Sequence, residues 1–434
     1  MKYASQHFAI LGAGRSGLGA ARLARLHGAK VTILDEDEHA KPVEDFKCVL
    51  GQAARDLVVK TGEFDLVIIS PGLDEHWPLP AKFTCAGVPL VGEVEFGFNL
   101  TDMPMVAITG TNGKSTCTEL VAALFNGCGM KSIPCGNHGT SLSEVVASGV
   151  RYDVLAVEVS SFQLETIRKF RAKASLWLNF APDHLDRYFG MEEYFAAKSR
   201  IFENCTESDV AIVRAGETVS SGKAQRWTFS AYGAEADCRY KNGRFYHASQ
   251  EIGSAANLRL RGKHNMENVL AALMAGKVYG LEFGAMLRAL AGYQVPRHRC
   301  ELIRTHEDRE YINDSKATNL HALEACLRSQ ERPIVLIAGG KDKQLDYTPL
   351  RAELKGQVRA MVFIGEIAPQ LEKTFGDLLP CRRGKDMADA VALAKQLSQP
   401  GDAIILSPGT SSFDMFNGYG LRGDAFREAV LSLS

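Results

Sequence analysis

Apolar residues come in short unbroken runs, and most runs lead into a stretch where they recur every three or four positions. A run of four to eight suits a strand buried on both faces, and the wider spacing suits a helix laid over it. The alternation predicts strands at 7–11, 30–34, 65–70, 105–108, 153–159, 175–180, 334–338, 360–364 and 402–406. It predicts a helix running to about 28 after the first turn, helices over 192–204 and 265–276, and one after each of the last three strands. Strands alternating with helices imply α/β architecture with mostly parallel sheets. The pattern restarts near 105 and again after 294–299, which reads as a linker. Three α/β domains are expected: a Rossmann-like nucleotide-binding domain over 1–92, a central P-loop ATPase-like domain over 93–296, and a second Rossmann-like domain over 297–434.

Composition narrows the setting. The 434 residues are 46% hydrophobic and 23% charged, with a formal net charge of −1. Such a chain has no global field to hold nucleic acid or an anionic membrane. None of its ten cysteines forms a C-x-x-C pair, so a reducing compartment with buried thiols is expected. The first ten residues show no signal-peptide pattern, and no uncharged apolar stretch nears the roughly 20 residues of a membrane span. A cytoplasmic monomer acting on small molecules is the expectation.

Two glycine-rich loops carry the chemistry. Gly12-x-Gly14-x-x-Gly17 lies between strand and helix, and Asp35 follows the next strand. Glycines there let backbone N–H groups approach a diphosphate, and the carboxylate can accept from a ribose hydroxyl. The motif does not choose among dinucleotides and UDP-sugars, and a tight packing turn needs the same glycines. The second loop, Thr109-Gly110-Thr111-Asn112-Gly113-Lys114-Ser115-Thr116, is more specific. Ile108 stands where the general phosphate-loop pattern has its first glycine, but the rest is intact. Its backbone can nest phosphates, Lys114 can place a cation on the transferred group, and the Ser115 hydroxyl can bind Mg²⁺. Glu158, near the end of an apolar strand, is the candidate acidic partner for that metal.

Two further residues are open on sequence alone. His184 sits in a loop after a strand, as a metal or substrate ligand or as polar surface. Lys198 shares a helical stripe with Tyr194, Ile201 and Phe202. A lysine there usually snorkels, with its head at the rim. If buried, it would lose its charge and could react with CO₂ to give a metal-binding carbamate.

Taken together, these motifs resemble those of the Mur ligases, ATP-dependent amino-acid ligases of peptidoglycan synthesis, over essentially the whole chain. The resemblance is best to the branch that joins D-glutamate to UDP-N-acetylmuramoyl-L-alanine. It implies ATP contacts from Gly110, Thr111, Asn112, Gly113, Lys114, Ser115, Thr116, Asn268, Arg299, Asp314 and Lys316, the last three from the third domain. It implies two Mg²⁺ ions held by Ser115, Glu158, His184 and a carbamylated Lys198, with Lys114, His184 and Lys198 catalytic. It assigns the first domain to UDP rather than NAD, with the UDP-substrate on Gly14, Arg15, Ser16, Asp35, Ser70, Gly72, Asn137 and His184. For D-glutamate it implies Thr318, Lys343, Ser412, Phe413 and Tyr419. The chain departs from the branch in its acidic Asp35-Glu36-Asp37 and in Ser407-Pro408-Gly409-Thr410-Ser411-Ser412-Phe413-Asp414, which keeps the family frame but not its usual Ala-Cys pair. It lacks the Asn-Pro-Arg motif of relatives that add diaminopimelate or lysine. An NAD-dependent dehydrogenase would leave Gly113-Lys114-Ser115 unexplained, and a non-catalytic regulator would need neither Lys316 nor Lys343.

Overall fold

A computed structural model describes the chain except residues 1, 185, 186, 261, 295, 296, 329, 331, 344, 355 and 434 and the side chain of His321. Leu185 and Asp186 of the predicted His184 loop, and Val295 and Pro296 of the predicted linker, lie outside the described residues. The chain forms two compact units, Met1–Asn257 with Glu267–Gly292, and Leu258–Met266 with Tyr293–Ser434.

The first unit carries two sheets. The smaller is wholly parallel, in the order Lys47–Leu50, Lys30–Asp35, His7–Leu11, Leu66–Ile69, Leu90–Gly92. The larger has nine strands. Met105–Thr109 lies between Val154–Glu158 and Ala174–Trp177, with Ser132–Gly136 beyond the former and Val210–Arg214 and Gln225–Ser230 beyond the latter. These six strands are parallel and their central members are fully buried, which is why they read as continuous apolar runs. Cys238–Lys241 joins the same edge in parallel, and Arg244–His247 and Gln250–Ser254 extend it antiparallel.

One carboxylate ties the two sheets. Glu95, buried, accepts from the backbone N–H groups of Arg168 (3.0 Å), Lys169 (3.0 Å) and Phe170 (2.9 Å). Nearby, the helix Arg15–Leu26 packs on Leu142–Ala147 so closely that a Cβ on Gly19 would meet Ser141 Oγ at 2.4 Å.

The second unit holds six strands in the order Glu301–His306, Arg309–Asn313, Ala403–Leu406, Ile334–Gly339, Val358–Ile364, Cys381–Arg383. The first pair is an antiparallel hairpin and the rest are parallel. Apolar layers cover both faces, with Leu336 and Phe363 in one and Ile337, Val362 and Phe426 in the other.

Several features depart from the sequence pattern, among them the short strands Lys47–Leu50, Leu90–Gly92, Ser132–Gly136 and Cys381–Arg383. The helix expected over 192–204 is α-helical over Met191–Ser199 and then tightens to a 3-10 turn, Arg200–Phe202. There the Arg200 guanidinium donates to the carbonyls of Glu165 and Ile167, holding that turn against the neighbouring segment. Val210–Arg214 carries the apolar run Val210-Ala211-Ile212-Val213 but is not among the expected strands, whereas the strands from Gln225 to Ser254 are too rich in polar and charged residues for the apolar-run signal. The hairpin at 301–313 is hidden in the same way, by Glu301, Arg304, Arg309 and Glu310.

Candidate active site

The second glycine loop leaves the end of Met105–Thr109, where Thr109 Oγ1 donates to the Val159 carbonyl at 2.8 Å. Gly113 has φ +82°, and a Cβ there would stand 2.5 Å from Asn268 Oδ1. That position is therefore closed to other residues both by backbone conformation and by space. Asn268 is thus seated on the loop. Asn179 zips the other side. Its Oδ1 accepts from Asn112 N at 2.8 Å and its Nδ2 donates to Asn112 O at 3.0 Å. Thr111 Oγ1 donates to the Ala181 carbonyl at 3.1 Å. The helix Lys114–Gly127 then begins with no side-chain cap at Gly113, and Ser115 and Thr116 lie in its first turn. A rigid loop ending at a helix N-terminus presents backbone donors to an anion.

Around this loop the structure gathers the other candidates of the central region. Glu158 pairs in register with Ile108, the residue two before the loop's first glycine. It is 2% exposed; Oε1 accepts from Asn137 Nδ2 at 2.9 Å, while Oε2 has no hydrogen-bond partner among the described residues. A buried carboxylate oxygen without a donor is costly. Together with the Ser115 hydroxyl it is a hard oxygen donor set that fits Mg²⁺.

Lys198 is 1% exposed, so its head is not at the rim as the helical stripe alone suggests. Its Nζ donates to the Gly110 carbonyl at 3.1 Å and lies 4.8 Å from the centroid of the Tyr194 ring. Lys114 Nζ donates to the same carbonyl at 2.9 Å and to that of Thr111 at 2.8 Å. Burial first, and the Lys114 charge second, push the Lys198 pKa well below the ordinary lysine value, against the pull of Asp183 and Glu158. A neutral amine is the form that adds to CO₂. His184, with φ +55°, places its ring 4.8 Å from Phe162 and 5.9 Å from Tyr194. Arg187 steadies that loop, donating to Glu165 at 2.6 Å and stacking 4.2 Å over Phe162.

The first glycine loop lies at the carboxyl ends of His7–Leu11 and Leu66–Ile69, where the strand order reverses and α/β sheets open a crevice. Asp35 Oδ2 accepts from Ala13 N at 2.7 Å and Oδ1 from Asp37 N at 2.9 Å, so the carboxylate shapes the loop itself. Gly14 N-caps the helix that Arg15 and Ser16 begin, and Arg15 donates to the Gly139 carbonyl at 2.9 Å. Ser70 Oγ is buried without a partner among the described residues, two positions before Gly72.

In the second unit the remaining candidates follow strand ends. Arg299 stands between two left-handed residues, His298 (φ +69°) and Cys300 (φ +44°). Asp314 accepts from Ser407 Oγ at 2.9 Å and Cys300 N at 3.1 Å, and burial pushes its pKa up to about 6. Lys316 Nζ lies 5.4 Å from the Tyr419 ring centroid, and Lys343 Nζ donates to the Thr318 carbonyl at 3.2 Å. Ser412 Oγ is buried without a partner among the described residues, and Phe413 is exposed. Arg422, fully buried, binds these loops by donating to the carbonyls of Ser315 (2.8 Å) and Thr410 (3.1 Å).

Asn179 and Arg422 escaped the sequence pattern. A polar residue inside the apolar run 175–180 was the only trace of Asn179. Nothing separates Arg422 from a surface arginine until the loops close over it.

Two family models match, the Mur ligase middle domain over residues 108–276 and the Mur ligase glutamate ligase domain over 298–409. A UDP-N-acetylmuramoylalanine–D-glutamate ligase of Geobacter metallireducens is 35% identical over 447 residues, covering 100% of this chain and 99% of its own length. The enzyme of that name from Trichlorobacter lovleyi is 38% identical over 450 residues, covering 100% of both chains. Among solved structures, the MurF ligase of Acinetobacter baumannii aligns with TM-score 0.61 at 16% identity, covering 98% of this chain and 91% of its own. UDP-N-acetylmuramate-alanine ligase of Thermotoga maritima aligns with TM-score 0.60 at 16% identity, covering 98% and 99%. With full-length relatives above one-third identity, the chain belongs to the Mur ligase family.

Proposed function

We propose that the chain uses ATP to join D-glutamate to the terminal carboxylate of UDP-N-acetylmuramoyl-L-alanine, releasing ADP and phosphate. The observation that carries the chemistry is the phosphate loop with the buried, half-partnered Glu158 at its side and the buried Lys198 amine on its Gly110 carbonyl. The full-length likeness to enzymes of that name supports the choice of substrates.

A carboxylate and an amine do not condense readily in water. The γ-phosphoryl of ATP would pass first to the carboxylate, giving an acyl phosphate. Lys114 and the loop N–H groups stabilise the charge that develops as two anions meet. Asn268 and the Gly113 backbone position the nucleotide, and we assign Arg299, Asp314 and Lys316 to ATP as well. Ser115 and Glu158 would hold one Mg²⁺, and His184 and carbamylated Lys198 another. Bound Mg²⁺ would neutralise phosphate and carboxylate oxygens. The D-glutamate amine then attacks the acyl carbon, and the tetrahedral intermediate expels phosphate. Lys343, Thr318 and Ser412 orient the amino acid, with Phe413 and Tyr419 beside them. Gly14, Arg15, Ser16, Asp35, Ser70, Gly72 and Asn137 hold the nucleotide-linked substrate. We assign this binding to a domain over 1–92, ATP to 93–296, and amino-acid capture to 297–434. A cytoplasmic monomer suits such substrates, and among the described residues no helix is long and apolar enough to cross a membrane.

Phosphate release with Mg·ATP and UDP-N-acetylmuramoyl-L-alanine tests the reading, with only the amino acid varied. D-Glutamate should support release, and L-glutamate, D-alanine, L-lysine and meso-diaminopimelate should give little. Release with another amino acid would move the protein to a different branch. Silence from folded, ATP-binding protein in every combination would defeat the ligase assignment.

A further inference from the structure

The second unit contains a side-chain cluster that the ligase chemistry does not use as such. Cys300 Sγ lies 3.8 Å from Cys326 Sγ, and an oxygen of Asp314 completes a trio whose ligand atoms all lie within 4.8 Å of one another. We propose that Cys300, Cys326 and Asp314 form a binding site for a soft divalent cation of the zinc class.

Cys300 Sγ donates to Cys326 Sγ in the metal-free protein, and the same arrangement suits a bound ion. Two thiolates bound at about 2.3 Å to a tetrahedral zinc stand about 3.8 Å apart, which matches the sulfur separation here. The three donors come from different elements, the start of Glu301–His306, the end of Arg309–Asn313 and the helix Leu320–Arg328, so the fold itself brings them together. The carboxylate is oriented from outside the trio, because Ser407 Oγ and Cys300 N both donate to Asp314. Such supporting bonds are characteristic of metal ligands. Cys300 holds a left-handed backbone at φ +44°, a conformation costly for a residue with a Cβ and kept only where its surroundings impose it. Cys326 is buried while Cys300 is partly exposed, so an ion has a way in on the Cys300 side. Two sulfur ligands disfavour Mg²⁺, which takes oxygen, and favour zinc. Three protein ligands leave a fourth position for water or an exchangeable group.

Two thiols this close invite a second explanation, a disulfide formed with hydrogen peroxide as oxidant, two thiols and one peroxide giving one disulfide and two waters. A carboxylate as third donor favours the ion, because a disulfide makes no use of it. Asp314 is also among the residues we assign to ATP, so an ion here should weaken nucleotide binding. That consequence rests on the proposed function, whereas metal binding itself does not.

The test uses the full chain, stripped with a chelator and titrated with Co²⁺. One Co²⁺ per chain should bind with a sulfur-to-cobalt charge-transfer band, which Zn²⁺ bleaches. The band should be lost in Cys300→Ser and in Cys326→Ser and kept in Cys85→Ser, a change at an exposed thiol. If Cys326→Ser does not fold, metal analysis of the gel-filtered wild type decides: one zinc per chain is expected, and none overturns the site. A band that survives both substitutions also overturns it. So does a reduced protein that takes no cobalt yet yields a Cys300–Cys326 disulfide with hydrogen peroxide.

Discussion

At the scale of single residues, the site is a problem of placing charge where water is scarce. Lys114 and Lys198 both donate to the Gly110 carbonyl. Lys198, buried, is driven toward the neutral amine, by burial first and by the neighbouring Lys114 charge second. Lys114→Ala should lower kcat by about 10²–10³, the range for removing a donor to developing negative charge. An activity loss under about threefold in steady-state assays would remove that role. Lys198→Ala should be severely impaired and partly rescued by a small carboxylic acid that supplies the missing oxygens. Failure of rescue, joined to a ¹³C NMR spectrum without a carbamate signal in CO₂-equilibrated wild type, would leave Lys198 a structural amine.

At the scale of elements, the site depends on how strands end. The strand Val154–Glu158 gives way within three residues to the helix Ser161–Glu165, and a capping box makes the junction. Ser160 Oγ accepts from Gln163 N at 3.3 Å, and Gln163 Oε1 accepts from Ser160 N at 3.0 Å. Each bond satisfies a donor the first helical turn leaves open. Ser160→Ala should cost about 1 kcal/mol of stability, read by chemical denaturation. Because the two bonds are reciprocal, Ser160→Ala and Gln163→Ala together should cost less than their sum. Additive losses would mean the box does not act as a unit.

At the scale of the whole molecule, one buried acid should shape the pH dependence of stability. Glu93 is buried, and Oε1 accepts from Ser143 N at 2.6 Å while Oε2 has no partner among the described residues. Burial outweighs the Ser143 bonds and raises its pKa from 4.5 to about 7. The folded protein therefore holds this proton more tightly than the unfolded chain. Its contribution to stability is full below the unfolded value near 4.5 and is lost as pH rises through about 7. Glu93→Gln keeps the shape and removes the charge. Denaturation curves should show the variant gaining up to about 3 kcal/mol on wild type above pH 7 and little below pH 4.5. The buried amide's own need for a partner will trim that gain. Parallel pH profiles for the two proteins would show that burial leaves the Glu93 pKa where it stands in the unfolded chain.

Much of this was written along the chain. A strand buried on both faces must be apolar throughout, so the parallel strands around Met105–Thr109 and Ile334–Gly339 were legible as runs. The phosphate loop was legible because few residue orders allow a backbone nest followed by a cation and a hydroxyl. The Mur ligase resemblance rested on those same residues. What periodicity could not reach were elements whose partners lie far off in sequence. The polar strands between Cys238 and Ser254 are strands because a sheet edge accepts them, not because their own pattern demands it. The state of Lys198 was undecided for the same reason. A helical stripe says which face a side chain shares, but its burial depends on Gly110, 88 positions earlier, and on Tyr194 closing over it. Asn179 on the phosphate loop and the meeting of Cys300, Asp314 and Cys326 are likewise products of closure. Sequence determined the element types and the chemical inventory through local spacing. Tertiary structure alone decided burial, and with it which of those groups keep their charge.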